Sequence, residues 1–134
     1  MDRNAIILDT SAYSLYLRGR EEMRPVIQRA DRILVNPIVL GELLAGFRLG
    51  KDSGRNRDLL DKFLASPRVG RLDIDAGTSE RYAAIVAYLR TTGIPLPTND
   101  IWIAASAMQH GLKVVTADAH FLKIPQILTE HITA

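Results

Sequence analysis

The apolar run Ala5-Ile6-Ile7-Leu8 stops at Asp9, and the run Val114-Val115-Thr116 stops just short of Asp118. Unbroken apolar runs of this length, rich in branched side chains, suit strands buried on both faces of a parallel sheet, where no alternation of polar and apolar residues is required. An acid placed just after such a strand stands at its carboxyl end, the edge at which open α/β sheets bind ligands. Between the two runs the chain alternates a further apolar run with helix-length segments. The pattern therefore predicts an α/β fold with a mainly parallel central sheet.

Local signals place the other elements. Ser11 to Leu17 reads as a short helix, Glu21 to Ala30 as a second with acids in its first turn, and Ile33 to Val35 as another strand. Asn36-Pro37 is a helix start, because Asn caps free amides and Pro loses no hydrogen bond at the first helical position. This third helix runs to about Arg48, with Val39, Leu40, Leu43, Leu44 and Phe47 as its apolar stripe. Glu42 falls on a neighbouring line and points beside the core rather than straight outward. Gly50 to Arg55 reads as a loop, and Asn56 as the cap of a helix carrying Leu59, Leu60, Phe63 and Leu64. A brief strand is expected around Leu72 and Ile74, then a long helix to about Arg90. A loop with Gly93, Pro95 and Pro97 delivers Asn99 and Asp100 to the start of a helix of small residues, Ala104 to Ala107, which His110 and Gly111 end. Lys113 to Thr116 is expected as the final, central strand.

With 134 residues the chain suits a single domain over 1–134, and 47% hydrophobic with 24% charged residues is the balance of an ordinary globular protein. The absence of cysteine excludes disulfides, thiolate metal sites and cysteine nucleophiles. Met1 to Asn4 lead into an apolar run far below membrane-spanning length, so a cytoplasmic protein is expected. The formal charge is only +2, from seventeen Lys and Arg against fifteen Asp and Glu. Setting aside Asp9, Glu42, Asp100 and Asp118 leaves seventeen against eleven, a balance of +6. A basic rim around an acidic pocket suits a polyanion such as nucleic acid, although scattered solvated arginines give the same sum.

Topology permits those four acids to meet. Asp9 and Asp118 follow strands, Asp100 starts a helix, and Glu42 lies one to two turns into its own. Each has a bland explanation, since Asp9, Asp100 and Asp118 can cap helices and Glu42 can sit half exposed on one. Together they call for a cation. Two carboxylates about 4 Å apart repel by roughly 4 kcal/mol at an effective dielectric near 20, and a divalent ion with oxygen ligands relieves that repulsion. With no thiolates and no paired histidines at ligand spacing, Mg²⁺ or Mn²⁺ is favoured over Zn²⁺. Such a centre suits metal-assisted hydrolysis of a phosphodiester.

At these residues the sequence resembles the PIN-domain nucleases, in particular the VapC toxins of type II toxin–antitoxin modules. The carriers are Ile7-Leu8-Asp9-Thr10-Ser11, Gly41-Glu42-Leu43, Asn99-Asp100-Ile101-Trp102-Ile103-Ala104-Ala105 and Thr116-Ala117-Asp118-Ala119-His120-Phe121. The resemblance implies a three-layer α/β/α sandwich, an acidic pocket holding Mg²⁺ or Mn²⁺, and endoribonuclease activity on single-stranded or looped RNA. It implies Asp9 and Asp100 as direct metal ligands, with Glu42 and Asp118 completing the pocket. Ser11, Asn99 and Thr116 would orient the carboxylates. It also implies a homodimer and a VapB-like antitoxin that blocks the pocket, for which the amphipathic Asp31 to Leu64 region offers a groove. The chain departs from the pattern at His120, where many relatives carry an acid. That histidine is either a helix-surface residue or a phosphate contact or proton relay near the metal.

Two other readings compete. A phosphoacceptor signalling module also gathers acids at strand ends, but it needs an acceptor Asp after a middle strand and a Lys after the last. Asp75 fits the first role poorly, and no lysine follows a convincing strand beyond Thr116. The stronger rival is a catalytically silent PIN-like module that binds metal, and RNA or a partner, without cutting. DNA also stays open as the substrate, since nothing visible reads a 2′-OH.

Overall fold

Burial on both faces holds for the inner strands, because their apolar runs leave no polar side to turn toward water. β1 (Ala5–Leu8), β2 (Arg32–Val35) and β4 (Lys113–Thr116) each bury their last three residues. The structure, a computed structural model, describes residues 4–133. β3 (Val69–Arg71) and β5 (Leu128–His131) complete one sheet of order β3-β2-β1-β4-β5 in which every pairing is parallel. At its centre Ile7 pairs with Leu34 on one side and Val114 on the other. The two outer strands are more exposed, and Thr129, Glu130 and His131 give β5 the polar character that blunts a sheet edge.

The chain moves outward from β1 through β2 to β3, then returns past β1 to β4 and β5. Right-handed crossovers in these two directions lie on opposite faces, which gives a parallel sheet with helices on both sides, as expected. The reversal makes the carboxyl ends of β1 and β4 a topological switch point, where the connections leave in opposite directions and open a crevice. Asp9 follows β1 there and Asp118 follows β4. Among the described residues no helix is long and apolar enough to cross a membrane.

The helices are α1 (Thr10–Leu17), α2 (Arg24–Arg29), α3 (Pro37–Leu49), α4 (Ser53–Leu64), α5 (Ala76–Thr92) and α6 (Thr98–His110). α3 starts as expected, with Asn36 as its cap and Pro37 at the first position. α5 and α6 both end on left-handed glycines, Gly93 at φ 72° and Gly111 at φ 64°, a backbone that a Cβ would strain.

Four expectations need correction. Residues 21–30 are a 3-10 turn, Glu21–Met23, followed by α2, because Pro25 cannot donate the hydrogen bond that would join them. The stretch read as a loop to Arg55 already contains the first turn of α4, and Asn56 lies inside that helix, its amide bonded to the Asp52 carbonyl at 2.9 Å. Burial of Leu60 and Phe63 on one face outweighs the turn preferences of Ser53 and Gly54. β3 comes earlier than Leu72 and Ile74, and the chain leaves the sheet after the Leu72 amide bonds the Val35 carbonyl at 2.8 Å. Finally, β4 is not the last strand, since β5 follows it at Leu128–His131.

One buried side chain ties two of the site-bearing helices together. Asn36 is 0% exposed. Its Oδ1 accepts from the Val39 amide at 3.0 Å, capping α3, and its Nδ2 donates to Ser106 Oγ of α6 at 3.0 Å. Asn36→Ala is expected to lower the unfolding free energy by about 2 kcal/mol, roughly half from the cap and half from the buried bond to Ser106. Urea denaturation checks this, and a loss within experimental error would show that the cap and cross-link contribute nothing.

Candidate metal centre

The site begins with a buried acid held by hydroxyls. Asp9 is 4% exposed, caps α1 and accepts the Ala12 amide on Oδ1 at 2.9 Å. Ser11 Oγ lies 2.8 Å from Oδ1 and 2.9 Å from Oδ2, and Thr116 Oγ1 donates to Oδ2 at 2.6 Å. The same hydroxyls accept from the loop after β4: Ala117 N donates to Ser11 Oγ at 2.9 Å and Asp118 N to Thr116 Oγ1 at 2.8 Å. Thr116 is itself fully buried. The ends of β1 and β4 are therefore bolted together through the Asp9 carboxylate, which fixes its orientation.

A half-buried group joins it from the start of α6 and from the loop after β4. Asp100 lies in the first turn of α6, Asp118 precedes the 3-10 turn Ala119–Lys123, and His120 lies in that turn. His120 Nδ1 is 3.1 Å from Asp100 Oδ2 and 3.1 Å from Asp118 Oδ1. One possible donor atom from each of the three residues lies within 4.8 Å of the others. Glu42, midway along α3, accepts Thr10 Oγ1 on Oε1 at 2.6 Å and Asn99 Nδ2 on Oε2 at 3.1 Å. α3 thus delivers Glu42 to a point where α1 and α6 both hold it.

The helix-cap explanation applies to only some of these acids. Asp9 caps α1, and Asp118 accepts the His120 amide on Oδ1 at 2.9 Å, but Asp100 caps nothing, since Pro97 occupies the cap position of α6. The electrostatics bind the set together. Burial pushes the Asp9 carboxyl above the ordinary aspartate range; bonds from Thr116, Ala12 and Ser11 oppose this, and the charge of Asp100 adds to it. Burial also raises Asp100; the hydrogen bond from His120 opposes the rise, while the charges of Asp118 and Glu42 reinforce it. Asp100 thus feels Asp118 and Glu42 and in turn raises Asp9.

Two participants were not among the site residues expected from the sequence. Thr10 was visible only as a polar neighbour of Asp9, and its partner is thirty-two positions away. His120 was noticed as a departure, but nothing in the sequence brings its ring between Asp100 and Asp118. Other groups are used differently: Trp102 stacks on Tyr82 with ring centroids 4.0 Å apart, and Arg20, Arg24 and Arg29 pair with Glu22, Glu21 and Glu130. The donor set of carboxylate oxygens and one imidazole nitrogen, without thiolate, fits a hard or borderline divalent cation. Such an ion would offset the repulsion centred on Asp100.

An open parallel sheet carrying an acidic cluster at its switch point defines a class of α/β proteins with a candidate cation site. Residues 6–127 match the PIN domain, and the chain belongs to the PIN-domain family, as its motifs implied. It is 32% identical to ribonuclease VapC4 of Mycobacterium tuberculosis over 93 residues, 69% of this chain and 72% of that protein. It is also similar to the DNA-bound VapBC structure from Salmonella typhimurium, with a TM-score of 0.84 and 28% identity over 96% of this chain and 98% of that one. VapBC2 from Rickettsia felis, bound to a DNA fragment from their promoter, shares the fold with a TM-score of 0.85 at 24% identity, covering 95% and 98% of the two chains.

The raised carboxyls have a consequence for stability. A group that holds its proton more tightly when folded contributes stability fully below its unfolded value, about 3.9 for aspartate, and loses that contribution as pH rises through the folded value. Without metal, Asp9 and Asp100 should therefore weaken the fold as pH climbs out of the acid range. Asp100→Asn removes one such group and relieves Asp9. In calorimetry with a chelator present, the Tm of Asp100→Asn minus that of wild type is expected to grow more positive between about pH 4 and about pH 7. A pH-independent difference would contradict this assignment of the repulsion.

Proposed function

We propose that the chain is a metal-dependent endoribonuclease, the toxin of a type II toxin–antitoxin pair, acting as a single nuclease domain over residues 1–134 in the cytoplasm. The observation that carries the reading is the gathering at the switch point of Asp100 and Asp118, with His120 between them and donor atoms within 4.8 Å of one another, beside the buried carboxylate of Asp9. Ribonuclease VapC4 bears that activity in its name, and the Salmonella typhimurium neighbour is a VapBC assembly, which supports both halves of the proposal.

In this reading Asp9 and Asp100 hold Mg²⁺ or Mn²⁺, and Glu42 and Asp118 complete the acid ring and position water. Bound there, the ion supplies a Lewis acid for the scissile phosphate and its attacking water. The remaining work falls to the chain. Ser11 and Thr116 keep both oxygens of Asp9 aimed, and Thr10 and Asn99 do the same for Glu42 from two helices. Held this way, the carboxylates need little rearrangement as charge develops on the phosphate, which is where preorganised sites gain most.

Inhibition has a place to act. An open groove of about 480 Å³, lined among others by Tyr13, Tyr16, Ile27, Leu59 and Phe63, lies between α1, α2 and α4. It draws on the Asp31 to Leu64 region and equally on α1, and its apolar walls suit a segment of a VapB-like antitoxin. Assembly as a homodimer belongs to the same proposal. Replacing Tyr16 with Arg is expected to weaken the antitoxin complex about tenfold or more, as loss of an aromatic anchor does. Titration calorimetry with the cognate antitoxin measures it, and unchanged affinity would move the contact elsewhere.

The activity itself is tested with antitoxin-free protein on a panel of tRNA, rRNA, single-stranded RNA and single-stranded DNA in Mg²⁺ or Mn²⁺. RNA cleavage is expected, abolished by EDTA and reduced by two or more orders of magnitude in Asp9→Asn and Asp100→Asn, roughly the scale for losing a positioned charge-stabilising group. Cleavage of DNA alone would overturn the ribonuclease reading. A folded, metal-loaded protein that cuts nothing in the panel would favour the silent binding module.

A further inference from the structure

We propose that His120 is a direct ligand of the ion, making this a mixed nitrogen–oxygen centre that selects Mn²⁺ over Mg²⁺; the inference rests on the metal-dependent reading of the same acids. The geometry is the starting point. His120 Nδ1 stands 3.1 Å from a carboxylate oxygen of α6 and 3.1 Å from one in the loop after β4. An imidazole nitrogen carries at most one hydrogen, so it cannot donate in line to both. Three donor atoms grouped around one point, none of them a full partner for the other two, is an arrangement that a shared cation completes. Metal–ligand bonds of about 2.1 Å give adjacent corners of an octahedron about 3.0 Å apart, which matches these two separations.

The backbone that carries the ring is also held in place before any ion arrives. The His120 amide donates to Asp118 Oδ1 at 2.9 Å, and the turn that carries it is anchored by Phe121, 0% exposed, and followed by buried Ile124. The side chain itself is 45% exposed, so the position is reachable from solvent.

Selectivity follows from ligand chemistry. Carboxylates accept any hard divalent ion, but Mg²⁺ prefers oxygen and retains its waters, whereas first-row transition ions accept imidazole readily. An imidazole where the resemblance leads one to expect an acid also removes a negative charge. That change penalises Mg²⁺, whose binding is mainly electrostatic, more than an ion that gains a bond to nitrogen.

The test uses full-length protein without RNA and Mn²⁺ alone as the probe. Pulsed EPR of bound Mn²⁺ is expected to show a directly coordinated nitrogen whose modulation changes on labelling with ¹⁵N-histidine and disappears in His120→Asp. Because His131 and His110 remain in that variant, the loss assigns the nitrogen to His120. In parallel calorimetry, the preference for Mn²⁺ over Mg²⁺ should fall by on the order of tenfold in His120→Asp, a scale on which changes around a metal move its affinity. Mn²⁺ bound without a histidine nitrogen, or an unchanged preference, overturns the proposal while leaving a carboxylate-held nuclease intact. No Mn²⁺ binding at all, together with no RNA cleavage, overturns both.

Discussion

The hydrogen bond from Thr116 to Asp9, 2.6 Å long and fully buried, is the contact on which the site depends. It closes the ends of β1 and β4 where their connections diverge, so the crevice opens around a carboxylate already fixed in direction. Burial there disfavours the charged form of Asp9. The bonds from Ser11, Thr116 and the Ala12 amide partly compensate by stabilising that charge. The result is a buried acid that needs little reorganisation but has a strong electrostatic reason to take a cation.

The rest of the site is built from parts that do not share a strand or a helix. Asp100 comes from α6, Asp118 from the loop after β4, and Glu42 from α3, and each is fixed by a bond to a different element. Asn36 holds α3 against α6, so the spacing between Glu42 and Asp100 is set by packing far from solvent. The three-layer fold serves this division, since a sheet with helices on both sides brings first-turn and mid-helix residues to one end.

Much of this was legible in the sequence, for identifiable reasons. β1, β2 and β4 announce themselves because strands buried on both faces must be apolar throughout, and α3 because Asn36-Pro37 is a start signal with a mechanism. The four acids stood out as a set, because strand ends and helix starts let them meet although each alone has a bland explanation. What stayed hidden was set by tertiary contact. β5 lies at the edge, where Thr129, Glu130 and His131 carry no apolar strand signal, and α4 begins a turn early because Leu60 and Phe63 anchor its face. Thr10 and His120 were hidden for the same reason: a bond to Glu42 thirty-two residues away, or a ring lying between two carboxylates, leaves no local pattern.

The central claim is that acids gathered from four separate stretches build one cation site at the switch point. Anomalous diffraction from crystals of the protein grown with Mn²⁺ tests it most directly. The account predicts a strong peak among Asp9, Asp100 and Asp118, beside His120, that vanishes in Asp100→Asn crystals. Crystals saturated with Mn²⁺ that show no peak there, or an ion bound only elsewhere on the surface, would contradict it.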